Sequence, residues 1–245
     1  MIQVYKNFFT EEDAQKIYNE VMLSQDKWKR YEDSNLDIYG NFFFRVLQET
    51  IKSGQTFSDA VNNYKLNGTF IHQSHALLKE KFETLYTKVE YIDQFSRPGF
   101  NIGRTDSTSP RVWHYDDEKF YYPYKDVFLD YTKFNDYFDE IFTMTLMLSK
   151  GDFTFDYFEE TENTYNSPDS SPFCPQHVGL IGDNCSNPNC SLENYKTVNY
   201  QTGDLVLVKD RILHRGGKSD YNADQLRITF QGQGVVKDGT CYLYW

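Results

Sequence analysis

The sequence predicts a mainly β domain buttressed by helices on its N-terminal side. Three observations carry this. Helical periodicity of apolar residues is confined to residues 1–89. From Glu90 onward, short apolar or alternating runs are separated by Gly, Pro, Asn and Asp, which is the texture of strands and turns. Aromatics make up 18 % of the 245 residues, with 20 Tyr and 20 Phe, so the core is expected to be aromatic-rich. Helices first and strands after describe an α+β or helix-buttressed all-β domain.

Length allows one large domain, or one domain carrying insertions. The formal net charge of −11 argues against a nucleic-acid partner, because phosphate binders concentrate Lys and Arg. The start, Met1-Ile2-Gln3-Val4-Tyr5-Lys6, lacks the charged and apolar regions of a signal peptide. No apolar run approaches the length of a membrane span. The expectation is a soluble, cytoplasmic protein with no membrane partner. Four Cys in a chain this long do not make a disulfide framework.

Element by element, Thr10-Glu11-Glu12-Asp13 is a helix start: Thr10 caps and acids fill the first turn. Ala14, Ile17, Tyr18, Val21 and Met22 give that helix one apolar face. Phe42-Phe43-Phe44 reads as core. A second helix is expected from Ser74 to Val89, with Ala76, Leu77, Leu78, Phe82, Leu85 and Val89 as its apolar set. His72 and His75 at its start have no acid or Cys to complete a site and read as surface or capping residues. Strands follow at residues 91–95, 100–104, 142–148 and 153–158. Alternation in the last puts Phe153, Phe155 and Tyr157 on one face.

The stretch from Gly203 to Thr229 reads as a β-hairpin. Leu205-Val206-Leu207-Val208 after a Gly-Asp turn is a buried strand, extended through Ile212 and Leu213 to His214. A breaker-rich segment from Gly216 to Asp224 is the loop, and residues 225–230 are the return strand. Folded about its middle, this hairpin sets His214 opposite Arg227, with Thr229 on the same face. Upstream, His114 and Asp116 share a face of an extended segment. With His214 they supply two imidazoles and one carboxylate, the facial triad of non-haem Fe(II).

The order of these residues resembles the Fe(II)/2-oxoglutarate-dependent oxygenases. The carrying residues are His114 and Asp116, then His214 in GDLVLVKDRILHRGG, then Arg227 and Thr229 in LRIT. The resemblance covers roughly residues 90–236 and implies a double-stranded β-helix, or jelly roll. It divides a single domain into a helical buttress (1–89), jelly-roll strands (90–158 and 198–236) and an insertion (159–197). It implies iron ligands His114, Asp116 and His214, and a 2-oxoglutarate carboxylate held by Arg227 with Thr229. A planar guanidinium suits that role, since it grips a carboxylate through two parallel bonds. Asp116 stands where halogenating relatives have Gly or Ala. Gln233 stands where nucleic-acid-demethylating relatives have a second Arg. Arg227 departs from the Lys of collagen-type prolyl hydroxylases.

The implied activity is a dioxygenase that hydroxylates an amino-acid, peptidyl or small-metabolite C–H, consuming O2 and releasing succinate and CO2. The insertion carries Cys174, His177, Cys185 and Cys190, three thiols and an imidazole suited to a tetrahedral structural zinc. Cys241 is left over. The rival reading is a non-catalytic metal-binding jelly roll, or an interaction module whose contact surface is that zinc-stapled insertion.

Overall fold

The computed structural model describes residues 1–30, 36–40, 54, 56, 59, 62, 65–92, 97–103, 139–158, 195–209, 212–220 and 226–244. The strands within them are β1 (Ile2–Tyr5), β2 (Lys29–Arg30), β3 (Leu36–Tyr39), β4 (Lys88–Tyr91), β5 (Gly99–Gly103) and β6 (Glu140–Met147). They continue as β7 (Asp152–Tyr157), β8 (Lys196–Gln201), β9 (Leu205–Lys209), β10 (His214–Asp220), β11 (Arg227–Lys237) and β12 (Thr240–Tyr244). Two α-helices are bounded among the described residues, α1 (Glu11–Leu23) and α2 (Thr69–Phe82). Neither is long and apolar enough to cross a membrane.

The longest strand among the described residues, β11, organises the rest. It pairs with β6 along one edge and with β5 and then β12 along the other, all antiparallel. Its sheet runs β1-β9-β6-β11-β5-β3-β2, with β12 carrying β4 at the side. A smaller sheet runs β10-β7-β8. From β6 onward the chain visits the large, small, small, large, small and large sheets in turn, which is the path of a double-stranded β-helix.

Alternation decides what each face of the large sheet does. Phe142, Met144, Leu146, Leu205, Leu207, Ile228 and Phe230 point out toward the helices and join Ala14, Ile17, Val21, Ile71, Leu78 and Phe82 in one apolar core. Met147, Val206 and Val208 point inward and meet Phe153, Phe155 and Tyr200 of the small sheet in a second core. The run Leu205–Val208 is therefore apolar because it is covered on both sides, as its sequence suggested.

Local chemistry explains the element ends. Thr10 caps α1, its Oγ1 accepting from the Asp13 amide at 3.1 Å and donating to the Asp13 carboxylate at 2.7 Å. The Gly-Asp turn before β9 is built on Gly203, at φ +83°, and on the buried carboxylate of Asp204. That carboxylate accepts from Lys6 Nζ at 2.8 Å and from the amides of Asn7 and Gln201 at 2.9 Å.

Three expectations need correction. The second helix is Thr69–Phe82, not Ser74–Val89: Leu85 lies in the turn after it and Val89 is in β4, buried by strand alternation. The stretch 1–89 is not purely helical, since β1, β2 and β3 lie in it. His75 is a core residue, 3 % exposed, its ring 5.8 Å from Phe230 and 5.6 Å from Tyr91. Phe42-Phe43-Phe44 lie outside the described residues.

Candidate active site

The expected hairpin between His214 and Arg227 does not form. β10 pairs with β7 in the small sheet, whereas β11 belongs to the large one. His214 and Arg227 therefore stand on opposite walls of the barrel. The link between them is a crossover between sheets, which in sequence has the same strand–breaker–strand pattern as a hairpin.

The barrel has two ends, fixed by strand register. β9 finishes with Lys209 beside Phe142, and the chain crosses through Ile212 and Leu213 to His214, which lies opposite Tyr157. β10 then runs to the other end, where Asp220 lies opposite Asp152. Arg227 starts β11 at that second end, held by Ser149. The Ser149 hydroxyl donates to the Leu226 carbonyl at 2.7 Å and accepts from the Ile228 amide at 2.6 Å.

His214 is 4 % exposed and stacks on Phe155, ring centroids 5.0 Å apart. Its Nδ1 donates to the Ile212 carbonyl at 2.8 Å, and a carbonyl can only accept. That bond fixes the tautomer with its lone pair on Nε2, as metal-binding imidazoles require. The next residue, Arg215, points to the opposite face and makes a buried ion pair with Asp156 at 3.0 Å. Thr197 Oγ1 donates to the other Asp156 oxygen at 2.8 Å. A Cβ on Gly217 would overlap Thr154 Oγ1 and lie 2.9 Å from Asp156 Oδ1, so only glycine lets β10 lie this close to β7. This ion pair and close contact hold the strand that presents His214.

Arg227 reaches in from the large sheet. Its Nη2 donates to the Tyr200 hydroxyl on β8, and its Cζ lies 5.9 Å from the Phe153 ring centroid. Its Nε is buried with no hydrogen-bond partner. Phe153 and Phe155 are two residues apart on one face of β7, so Arg227 and His214 sit over adjacent aromatic platforms, ~7 Å apart along the strand. Thr229, 3 % exposed, is on the same face of β11 as Arg227, as alternation predicted.

The remaining predicted ligands lie elsewhere in the chain. His114 and Asp116 fall outside the described residues, as do Cys174, His177, Cys185 and Cys190. Among the described residues no group of three or more His, Cys, Asp or Glu side chains is placed to hold a metal ion. Cys241 lies buried in β12, where desolvation pushes its thiol pKa up and keeps it protonated. Sequence reading missed Tyr200, Ser149 and the Arg215–Asp156 pair. None belongs to a motif. Only the pairing of β7 with β8 and β10 brings the aromatic and ionic partners together.

No protein-family model and no curated protein sequence matches the chain. Among solved structures it is similar to SnoN, the non-haem α-ketoglutarate-dependent epimerase from nogalamycin biosynthesis. That similarity has a TM-score of 0.47 at 12 % identity, over 97 % of this chain and 79 % of that one. The SnoN complex with Fe3+, α-ketoglutarate and nogalamycin RO gives 0.44 at 12 % identity, over 97 % and 82 %. A Pseudomonas putida prolyl-4-hydroxylase gives 0.40 at 10 % identity, over 96 % and 92 %.

Proposed function

We propose that the chain is an Fe(II)- and 2-oxoglutarate-dependent dioxygenase that hydroxylates a C–H bond of a small-molecule or peptidyl substrate. The observation that carries this reading is the pairing of His214 and Arg227 inside one barrel. A histidine whose Nδ1 bond fixes the metal-binding tautomer stands over one platform. A guanidinium with a buried, unpartnered N–H stands over the next. Leaving that N–H unpaired costs ~1–3 kcal/mol, and a ligand carboxylate would remove the penalty with a charge-assisted bond.

His214 and Arg227 are of the kinds that Fe(II) and 2-oxoglutarate need. His214, with His114 and Asp116, would hold Fe(II), and Arg227 with Thr229 would hold the far carboxylate of 2-oxoglutarate. When bound, iron and 2-oxoglutarate supply oxidation by O2, with succinate and CO2 as co-products. The protein's own part is positional. Ile212 orients the imidazole, Tyr200 orients the guanidinium, and Phe153 and Phe155 line the site with apolar surface that excludes water. Tyr200 uses one guanidinium nitrogen, and the buried Nε supplies a further donor.

Anaerobic titration of Fe(II) and 2-oxoglutarate tests this reading through the weak visible charge-transfer band of the ternary complex. The band is expected in the wild type and absent in His214→Ala and Arg227→Ala. A wild type that gives no band and binds no 2-oxoglutarate would overturn it.

A further inference from the structure

The wall that faces His214 across the barrel carries its own unmet chemistry. Register places Thr143 and Gln233 directly opposite each other on β6 and β11, at the His214 end. Directly opposed residues bring their Cβ atoms to ~5 Å. Both point inward, Gln233 by the alternation that turns Arg227 and Thr229 inward and Thr143 by the alternation that turns Met147 inward. Gln233 is only 6 % exposed, yet its Oε1 has no hydrogen-bond partner, and neither has the buried Thr143 Oγ1. One strand-step nearer Arg227, Gln231 and Thr145 are bonded to each other at 3.4 Å, and Gln231 accepts from Asn101. Asn101 Oδ1, beside Gln231, is also buried without a partner, so orphan oxygens run along this wall, and the Thr143–Gln233 pair is the one at the His214 end.

Buried polar atoms are nearly always satisfied, by protein, by water or by ligand. Two adjacent orphans on the wall across the barrel from a candidate metal ligand call for such a partner. Their chemistry also specifies what they take. An amide oxygen accepts and a hydroxyl both donates and accepts. A neutral donor–acceptor group, a hydroxyl or a carboxamide, satisfies both. A carboxylate or ammonium would find no charged partner at the inner positions Thr143, Thr145, Gln231, Gln233, Val206 and Val208. A bare hydrocarbon would leave both oxygens unpaired.

We propose that Gln233 and Thr143 form the substrate-reading wall of the site, and that the group they bind beside His214 is an uncharged hydroxyl or carboxamide. That this ligand is the oxidised substrate rests on the oxygenase reading; that the wall binds such a group does not.

The test uses metal-free protein and four fragments on one ring: benzamide, benzyl alcohol, benzoate and toluene. Binding is followed by saturation-transfer NMR in the wild type, Gln233→Met and Thr143→Val. These substitutions remove the orphan oxygens at nearly constant volume, so the thermal midpoint should hold or rise. Benzamide and benzyl alcohol are expected to bind the wild type more tightly than toluene. Each should lose about fivefold in affinity in either variant, the worth of one neutral hydrogen bond. Benzoate should be indifferent to both variants. Neutral fragments that fail to bind, that bind no better than toluene, or that ignore both substitutions overturn the proposal and leave the oxygens to ordered water. 2-Oxoglutarate binding to the wild type with Mn(II), measured by calorimetry, is read separately. Its loss with fragment binding intact sinks the oxygenase reading alone, and the reverse result sinks the wall alone.

Discussion

The two faces of β11 are opposite in character. Outward, Ile228 and Phe230 are fully buried among the helices, and the Phe100 and Phe230 rings stack with centroids 4.7 Å apart. Inward, Arg227, Thr229, Gln231 and Gln233 face the barrel, and two of these four side chains carry buried atoms without partners. One strand therefore serves two ends. Its outer face supplies folding free energy through apolar contact, and its inner face holds polar groups at an energetic cost that a ligand can recover. Stability and the proposed binding are separated by the parity of a residue number.

Substitutions on the two faces should split accordingly. The largest stability effect is expected on the outer face. Phe230→Ala should cost ~3–5 kcal/mol in urea unfolding, because it removes a fully buried ring from a rigid core. A loss under ~1 kcal/mol would mean that the helices are not seated on this sheet as described.

Next comes His75, also on the outer side. Its pKa is lowered to about 4, chiefly by burial, against the partial opposition of its bond to the Pro98 carbonyl at 2.7 Å. The unfolded chain titrates near 6.5, so between these values it binds the extra proton and the folded chain does not. Stability is then fully present above the unfolded value and falls as pH drops toward 4, by on the order of 3 kcal/mol. Urea midpoints from pH 7 to 4 should show this slope, and His75→Gln should flatten it. An equal slope in both proteins would assign the acid sensitivity to other groups.

The smallest effect, and the most informative about the border between the faces, belongs to Ser149. Its hydroxyl serves both the Leu226 carbonyl and the Ile228 amide. Ser149→Ala should cost ~1–3 kcal/mol by leaving backbone groups buried and unpaired. It should also weaken 2-oxoglutarate binding, because Arg227 lies between those two residues. A stability loss with unchanged affinity would show that Arg227 is positioned by Tyr200 alone.

Much of this was legible in the chain. Alternation in Arg227-Ile228-Thr229-Phe230 placed Arg227 and Thr229 together, and Thr10 with its acids marked α1. Sheet membership was not legible. A breaker-rich link between two strands looks the same in sequence whether the strands then pair or separate, and β10 is held to β7 by Arg215–Asp156 and Gly217, contacts between residues about 60 positions apart. The end of α2 was misread for a related reason. Leu85 and Val89 continue a helical spacing by coincidence, whereas the chain turns at Glu83. His75 looked superficial because a histidine's burial depends on what covers its helix face, here Tyr91 and Phe230 from two later strands.

Arg227 spans from the large sheet to Tyr200 on the small one, so at that end of the barrel a single side chain acts as a tie-rod between the walls. Under the proposed function, an anion gripped by the same guanidinium would be coupled to the spacing of the two sheets, and loading the Arg227 end would tension the frame on which His214 and the opposite wall are mounted.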